Sequence, residues 1–217
     1  MSQDIRNSIS QDWITIILIG CLLLITFVKY RYPKKFDDFL LIVTSDKFLN
    51  TTISNSSLIH PFNFVLTLVQ WVGFSLFIYI GYCYYLKKVV GEEITSFLYI
   101  LLGFIAFEQL KLILERFIGH ILNLSPLIQS YTYRKIIFKN FLSLLVLLFC
   151  IILIYKNDFL TPYFGIFLGV LLFFYFISIL FTIRKFQSEI LKHPSYFILY
   201  FCTLELAPYY ILYKVLL

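Results

Sequence analysis

Apolar residues run almost unbroken from Trp13 to Tyr30, after a polar stretch from Met1 to Asp12, and the same alternation of long apolar and short polar segments continues to the end of the chain. Further runs cover about 62–86, 95–119, 136–155, 162–183 and 195–217. Each is near the roughly 20 residues that carry a helix across a hydrocarbon core, so the pattern predicts an all-α, polytopic transmembrane bundle of about six spans forming one domain over residues 1–217. The Thr161-Pro162 pair sets a capping hydroxyl before a proline at a first helical position, where the missing N–H costs nothing. The first run lacks a basic lead-in and a small-residue cleavage site, which predicts an uncleaved anchor.

The polar segments differ in character. Between Arg31 and His60, Lys34-Lys35 leads into Phe36, Phe39, Leu40, Leu41, Ile42 and Val43, too few apolar residues to span. They predict a short helix over about 35–44 lying in the membrane interface, followed by a loop rich in Asn, Thr and Ser. Tyrosines gather near the expected interfaces, at Tyr82, Tyr84 and Tyr85, at Tyr131 and Tyr133, and at Tyr209, Tyr210 and Tyr213, as an aromatic belt would. No internal repeat is evident.

Composition agrees with this solvent: 60% of residues are apolar, 20% aromatic and 14% charged. Such a chain cannot cover a water-soluble globule, and it has no length to spare for an aqueous domain. Lysine and arginine fix the expected orientation. Lys29, Arg31, Lys34, Lys35, Lys47, Arg116, Arg134, Lys135, Lys139, Arg184, Lys185 and Lys192 fall in or beside the first, third and fifth connections. That bias predicts a cytoplasmic face there and both termini on the periplasmic or exterior side. The net charge of +6 then reflects topology and anionic headgroups, and nucleic-acid binding is not needed to explain it.

Charges inside the apolar runs are the candidate chemistry, because a charge at bilayer depth must face protein or water. Glu108, Lys111 and Glu115 stand three and four residues apart on one face of the third run, so Lys111 can pair with either acid. The sixth run carries Glu205, followed three residues later by Pro208, and the second carries Gln70. Counted from the expected cytoplasmic ends, Glu205, Glu108, Lys111 and Gln70 fall within roughly one helical turn of each other in depth. They predict a midplane polar cluster in which Glu108 and Glu205 outnumber Lys111. Either one acid carries a proton, as in a proton-linked transporter, or a partner chain supplies a base; a third alternative is that the cluster only locks helices together.

A second possible polar site lies at the cytoplasmic boundary, where His60, Arg116, His120 and His193 fall. Three imidazoles there would suit zinc or haem, yet none sits at ligand spacing, and no metal or cofactor is expected. Cys21, Cys83, Cys150 and Cys202 all lie in the apolar runs and imply no disulfide framework. Enzyme signatures fail. Glu92-Glu93 suggests the paired glutamates of CAAX-type intramembrane proteases, but Phe97 stands where their arginine is expected. Gly-x-Ser-x-Gly, His-Glu-x-x-His and phosphate-loop patterns do not occur.

Two segments carry a family resemblance: Leu199-Tyr200-Phe201-Cys202-Thr203-Leu204-Glu205-Leu206-Ala207-Pro208 with Ile211-Leu212-Tyr213-Lys214, and Tyr32-Pro33-Lys34-Lys35-Phe36. In these the chain resembles a family of small multispan Bacteroidota membrane proteins classified as a domain of unknown function. The resemblance implies an inner-membrane protein of a Gram-negative cell and carries no activity with it. The resulting expectation is a subunit or accessory of a multiprotein envelope complex, in export or envelope biogenesis, with the bilayer and other membrane subunits as partners. The alternatives are a small proton-coupled transporter using Glu108, Lys111 and Glu205, and a membrane enzyme or haem-linked protein using the histidines.

Overall fold

A computed structural model describes residues 12–41, 61–86, 90–91, 93–121, 125–155 and 164–177. Among the described residues there are six helices and no strands: α1 (Asp12–Arg31), α2 (Pro33–Leu40), α3 (Pro61–Tyr85), α4 (Ile94–Ile121), α5 (Ser125–Tyr155) and α6 (Phe164–Ile177). Four of them, α1, α3, α4 and α5, are long and apolar enough to cross a bilayer. The chain is a helical membrane protein. The described part of the fifth apolar run, α6, is shorter than the other four, and the sixth run lies outside the described residues.

Helix α3 is the hub, meeting α5 most extensively and then α4 and α1. Contacts give the directions. Trp13 at the start of α1 meets Tyr79 near the end of α3 and Phe97 near the start of α4, while Thr15 bonds Tyr155 at the end of α5 through their hydroxyls (2.7 Å). At the other end, Val28 of α1 packs with Phe62 and Leu66 of α3 and with Tyr133 and Ile137 of α5. Helices α3 and α5 therefore run parallel, with α1 and α4 antiparallel to them. At Gly73 of α3 an added Cβ would lie 3.4 Å from Leu147 of α5.

The α3–α4 connection turns at Gly91, whose φ of 101° lies in the left-handed region that glycine alone adopts freely. Its backbone is held on both sides: Trp13 Nε1 donates to the Gly91 carbonyl (2.9 Å), and the Gly91 N–H donates to the Tyr79 hydroxyl (3.2 Å). Rings of Trp13, Tyr79 and Phe97 close over this turn with centroids 5.3–6.0 Å apart, so polar and apolar contacts fix the same corner.

The interfacial helix expected over about 35–44 falls on α2, Pro33–Leu40, with 42–44 outside the described residues; its buried side chains, Phe36 and Phe39, pack into the protein. Phe39 meets Phe62 and Phe141 edge-on, while Lys34, Lys35, Asp37 and Asp38 are exposed. The helix expected from Ile136 begins eleven residues earlier, at Ser125, with Pro126 in its first turn. Arg134, Lys135 and Lys139, expected in or beside a connection, are helical and mostly buried. Hydropathy alone ends a helix at such charges; here a facing row of acids lets the helix continue.

Candidate functional site

Apolar packing is interrupted at mid-height. One cluster, around Ile14, Leu76, Ile80, Val146 and Cys150, fills the end near Trp13; a second, around Val28, Phe39, Phe62, Leu66 and Ile137, fills the other. Between and beside them run polar side chains of three helices: Asn63, Thr67 and Gln70 on α3, Glu108, Lys111 and Glu115 on α4, and Thr132, Lys135, Lys139, Asn140 and Ser143 on α5. The spacing explains how they meet. Positions 108, 111 and 115 recur every three to four residues, as do 132, 135 and 139, so each set forms a stripe along its helix. Antiparallel packing lays one stripe against the other.

Lys139 Nζ donates to both carboxylate oxygens of Glu108 at 2.8 Å, with both side chains nearly buried. This pair sits near the middle of both helices: Glu108 is 13 residues from the end of α4 and Lys139 is 14 from the start of α5. About 20 Å of helix therefore separates it from that end. Nearer the end, Glu115, 1% exposed, accepts from Lys135 Nζ (2.7 Å) and from the Thr132 hydroxyl (2.8 Å). Lys111 lies between the two acids along α4 at 3% exposure, and Arg134 of α5 is also buried. Each acid has a lysine of the facing helix as a partner.

This changes the expected charge balance. The acid surplus rested on Glu108 and Glu205 facing Lys111 alone, and Glu108 has Lys139 as a partner. Glu205 lies outside the described residues, as do His60 and His193. Arg116 and His120 are on the last turns of α4 and exposed, so among the described residues no cluster of metal-ligating side chains forms. Gln70 and Glu108 line one cavity, together with Lys139. The missed residues, Thr132, Lys135 and Lys139, carried a sequence signal: a three-and-four spacing complementary to 108 and 115, downstream of a Ser-Pro helix start.

A second polar seam joins α3 to α5. Asn63 Nδ2 donates to the Tyr133 hydroxyl (3.0 Å), Asn140 Nδ2 reaches Thr67 Oγ1 at 3.5 Å, and the Ser143 hydroxyl donates to the Asn140 carbonyl (2.6 Å). Above it opens a cavity of about 380 Å³ between α3, α4, α5 and α6. Its polar end is Gln70, Glu108 and Lys139, and its walls are aromatic and aliphatic, with Phe74, Phe77, Phe104 and Phe164 among them. Phe164 anchors α6 there by stacking on Phe77 and Tyr84 across Gly81. The thiols of Cys21, Cys83 and Cys150 are buried in the apolar cluster near Trp13 and form no disulfide among the described residues.

The family described as Domain of unknown function (DUF4271) matches residues 14–216, and the chain belongs to it. Comparison with curated proteins and with solved structures returned no match.

Proposed function

We propose that this member of the DUF4271 family is an integral subunit or accessory of a multiprotein complex in the inner membrane of a Gram-negative cell, acting in envelope biogenesis or export. The observation that carries this reading is the division of labour on α4. Its charged row is consumed by α5, while its other flank presents Leu98, Leu102, Leu110, Ile113 and Phe117. Only 11% of its most apolar stretch is buried, against 50% in α3 and 56% in α5. A long helix held on one side by ion pairs and open on the other suits packing against further membrane helices, which is driven by close van der Waals fit. The inner-membrane placement, in a Bacteroidota cell, is supported by the resemblance of the segments around Pro33 and Glu205. Six crossings follow from the six apolar runs. A cytoplasmic position for the end carrying α2 follows from the basic residues gathered there.

The test is purification of the tagged full chain from its native membrane in mild detergent, with mass spectrometry of stoichiometric companions. A membrane-protein partner is expected, and its yield should fall several-fold when Leu102, Ile113 and Phe117 are changed together to alanine. Recovery of the chain alone, or of a partner indifferent to that change, overturns the reading. A second reading, a small proton-coupled transporter, is favoured by the contact of Glu108 with the cavity.

A further inference from the structure

Helix α1 has an outward face that its neighbours leave uncovered. Ile16, Leu23 and Phe27 are exposed apolar side chains on it, and Arg31, also exposed, follows Phe27 by four residues, so the stripe ends in a cation on the same face. Gly20 stands within the stripe, four residues from Ile16, and a Cβ added there would have no neighbour within 4 Å. The row of side chains therefore holds a shallow notch. From Ile16 to Phe27 the helix rises roughly 16 Å, close to the roughly 15 Å depth of hydrocarbon in one leaflet.

At its basic end the stripe meets the joint between α1 and α2, where two cations converge on Tyr32. The Arg31 guanidinium lies 5.8 Å from the centroid of the Tyr32 ring and the Lys35 ammonium 6.0 Å. The ring is held edge-on against Phe62 of α3, and Phe36 and Phe39 anchor α2 in the protein, so the corner is built on packed elements. Tyr32 attracts each cation, but the cations repel one another. Around them Lys29, Arg31, Lys34 and Lys35 outnumber Asp37 and Asp38 by four to two, all six exposed. A bound anion relieves that repulsion, and the fork of a guanidinium matches two oxygens of a phosphate.

Stripe and corner together select the occupant. A soluble phosphate would use the cations and leave the stripe idle, whereas a protein helix lying on the stripe would leave the cations unanswered. A phospholipid with a net negative head uses both, with its head at the interface beside α2 and a chain lying down α1. We propose that the α1–α2 corner holds one anionic phospholipid, its phosphodiester bridged by Arg31 and Lys35 beside Tyr32 and an acyl chain seated over Gly20. The site asks nothing of the subunit or transporter readings, nor of which side of the membrane α2 faces.

The experiment is photolabelling of the full chain in mild detergent with a phosphatidylglycerol carrying a diazirine in its acyl chain, with the labelled peptides mapped. Unlabelled phosphatidylglycerol, phosphatidylcholine and glycerol 3-phosphate serve as competitors. Expected are saturable labelling between Ile16 and Phe27, clearly stronger competition by phosphatidylglycerol than by phosphatidylcholine, and none by glycerol 3-phosphate. Arg31→Gln combined with Lys35→Gln should weaken apparent affinity by more than about tenfold, at about fivefold for each cation facing an anionic headgroup. Lys29→Gln combined with Arg116→Gln removes equal charge from the same end of the bundle and should leave the affinity nearly unchanged. Gly20→Phe fills the notch and should abolish labelling of α1. Labelling that does not saturate, or that maps away from α1 in the wild-type chain, overturns the proposal whatever the variants do. So does equal competition by phosphatidylcholine, which would make the stripe an ordinary lipid-facing flank, or effective competition by glycerol 3-phosphate, which would make the corner a site for soluble phosphate. Equal losses in the two double variants would reduce the effect to general surface charge and overturn it too, as would a co-purifying protein that shields α1 from the probe.

Discussion

Lys139 and Glu108 meet as a two-pronged ion pair at a depth where neither is tolerated alone. Removing one partner strands the other charge among apolar helices, and such changes cost about 3–5 kcal/mol when the pair is buried. Lys139→Met should therefore lower resistance to unfolding in detergent by several kcal/mol, and adding Glu108→Gln should restore most of it, as a double-mutant cycle in unfolding titrations would show. Equal losses for the single and double variants would mean that the stripes do not couple. At this scale the sequence was partly legible. The acids, Lys111 and Gln70 stand out because charge or amide in an apolar run is costly. Their partners did not, because the rule of three and four residues pairs side chains within a helix and is silent about which facing helix arrives.

Among the elements, α1, α3 and α4 follow their apolar runs to within two residues. Helix α5 did not, since its first fifteen residues contain Arg134, Lys135 and Lys139, and averaged hydropathy reads such a stretch as a connection. Its Ser-Pro start was the available signal, of the same kind that marked Thr161-Pro162. The turn between α3 and α4 makes a sharper demand on one residue. Gly91→Ala should cost about 1–2 kcal/mol, because a Cβ at that φ meets the carbonyl beside it. The loss should appear in thermal unfolding, whereas alanine at Gly165, in open space within α6, should be tolerated.

For the molecule as a whole, the helix directions bring Lys29, Arg31, Lys34, Lys35, Arg116 and Arg134 to the end that carries α2. In the orientation proposed, Asp38→Cys on the exposed flank of α2 should react with an impermeant thiol reagent only from the cytoplasmic side, and Asp12→Cys only from the exterior. Labelling with the sides exchanged would invert the topology and with it the direction from which any partner in water approaches. Class and helix directions were readable at this scale because the bilayer imposes them on composition and charge. The cavity was not, since it depends on where α6 leans against Gly81.

The facing stripes of α4 and α5 also bear on how the protein reaches its membrane. Helix α4 is synthesised first, and at that moment Glu108, Lys111 and Glu115 have no counterparts from α5. Each such charge costs about 2.5–3.5 kcal/mol at the centre of a lone helix leaving the insertion machinery. Only when the ribosome has added residues through Lys139 are both facing lysines in place. The two helices are thus best released to lipid as a finished hairpin, and the short connection over 122–124 keeps the second within reach of the first while it waits.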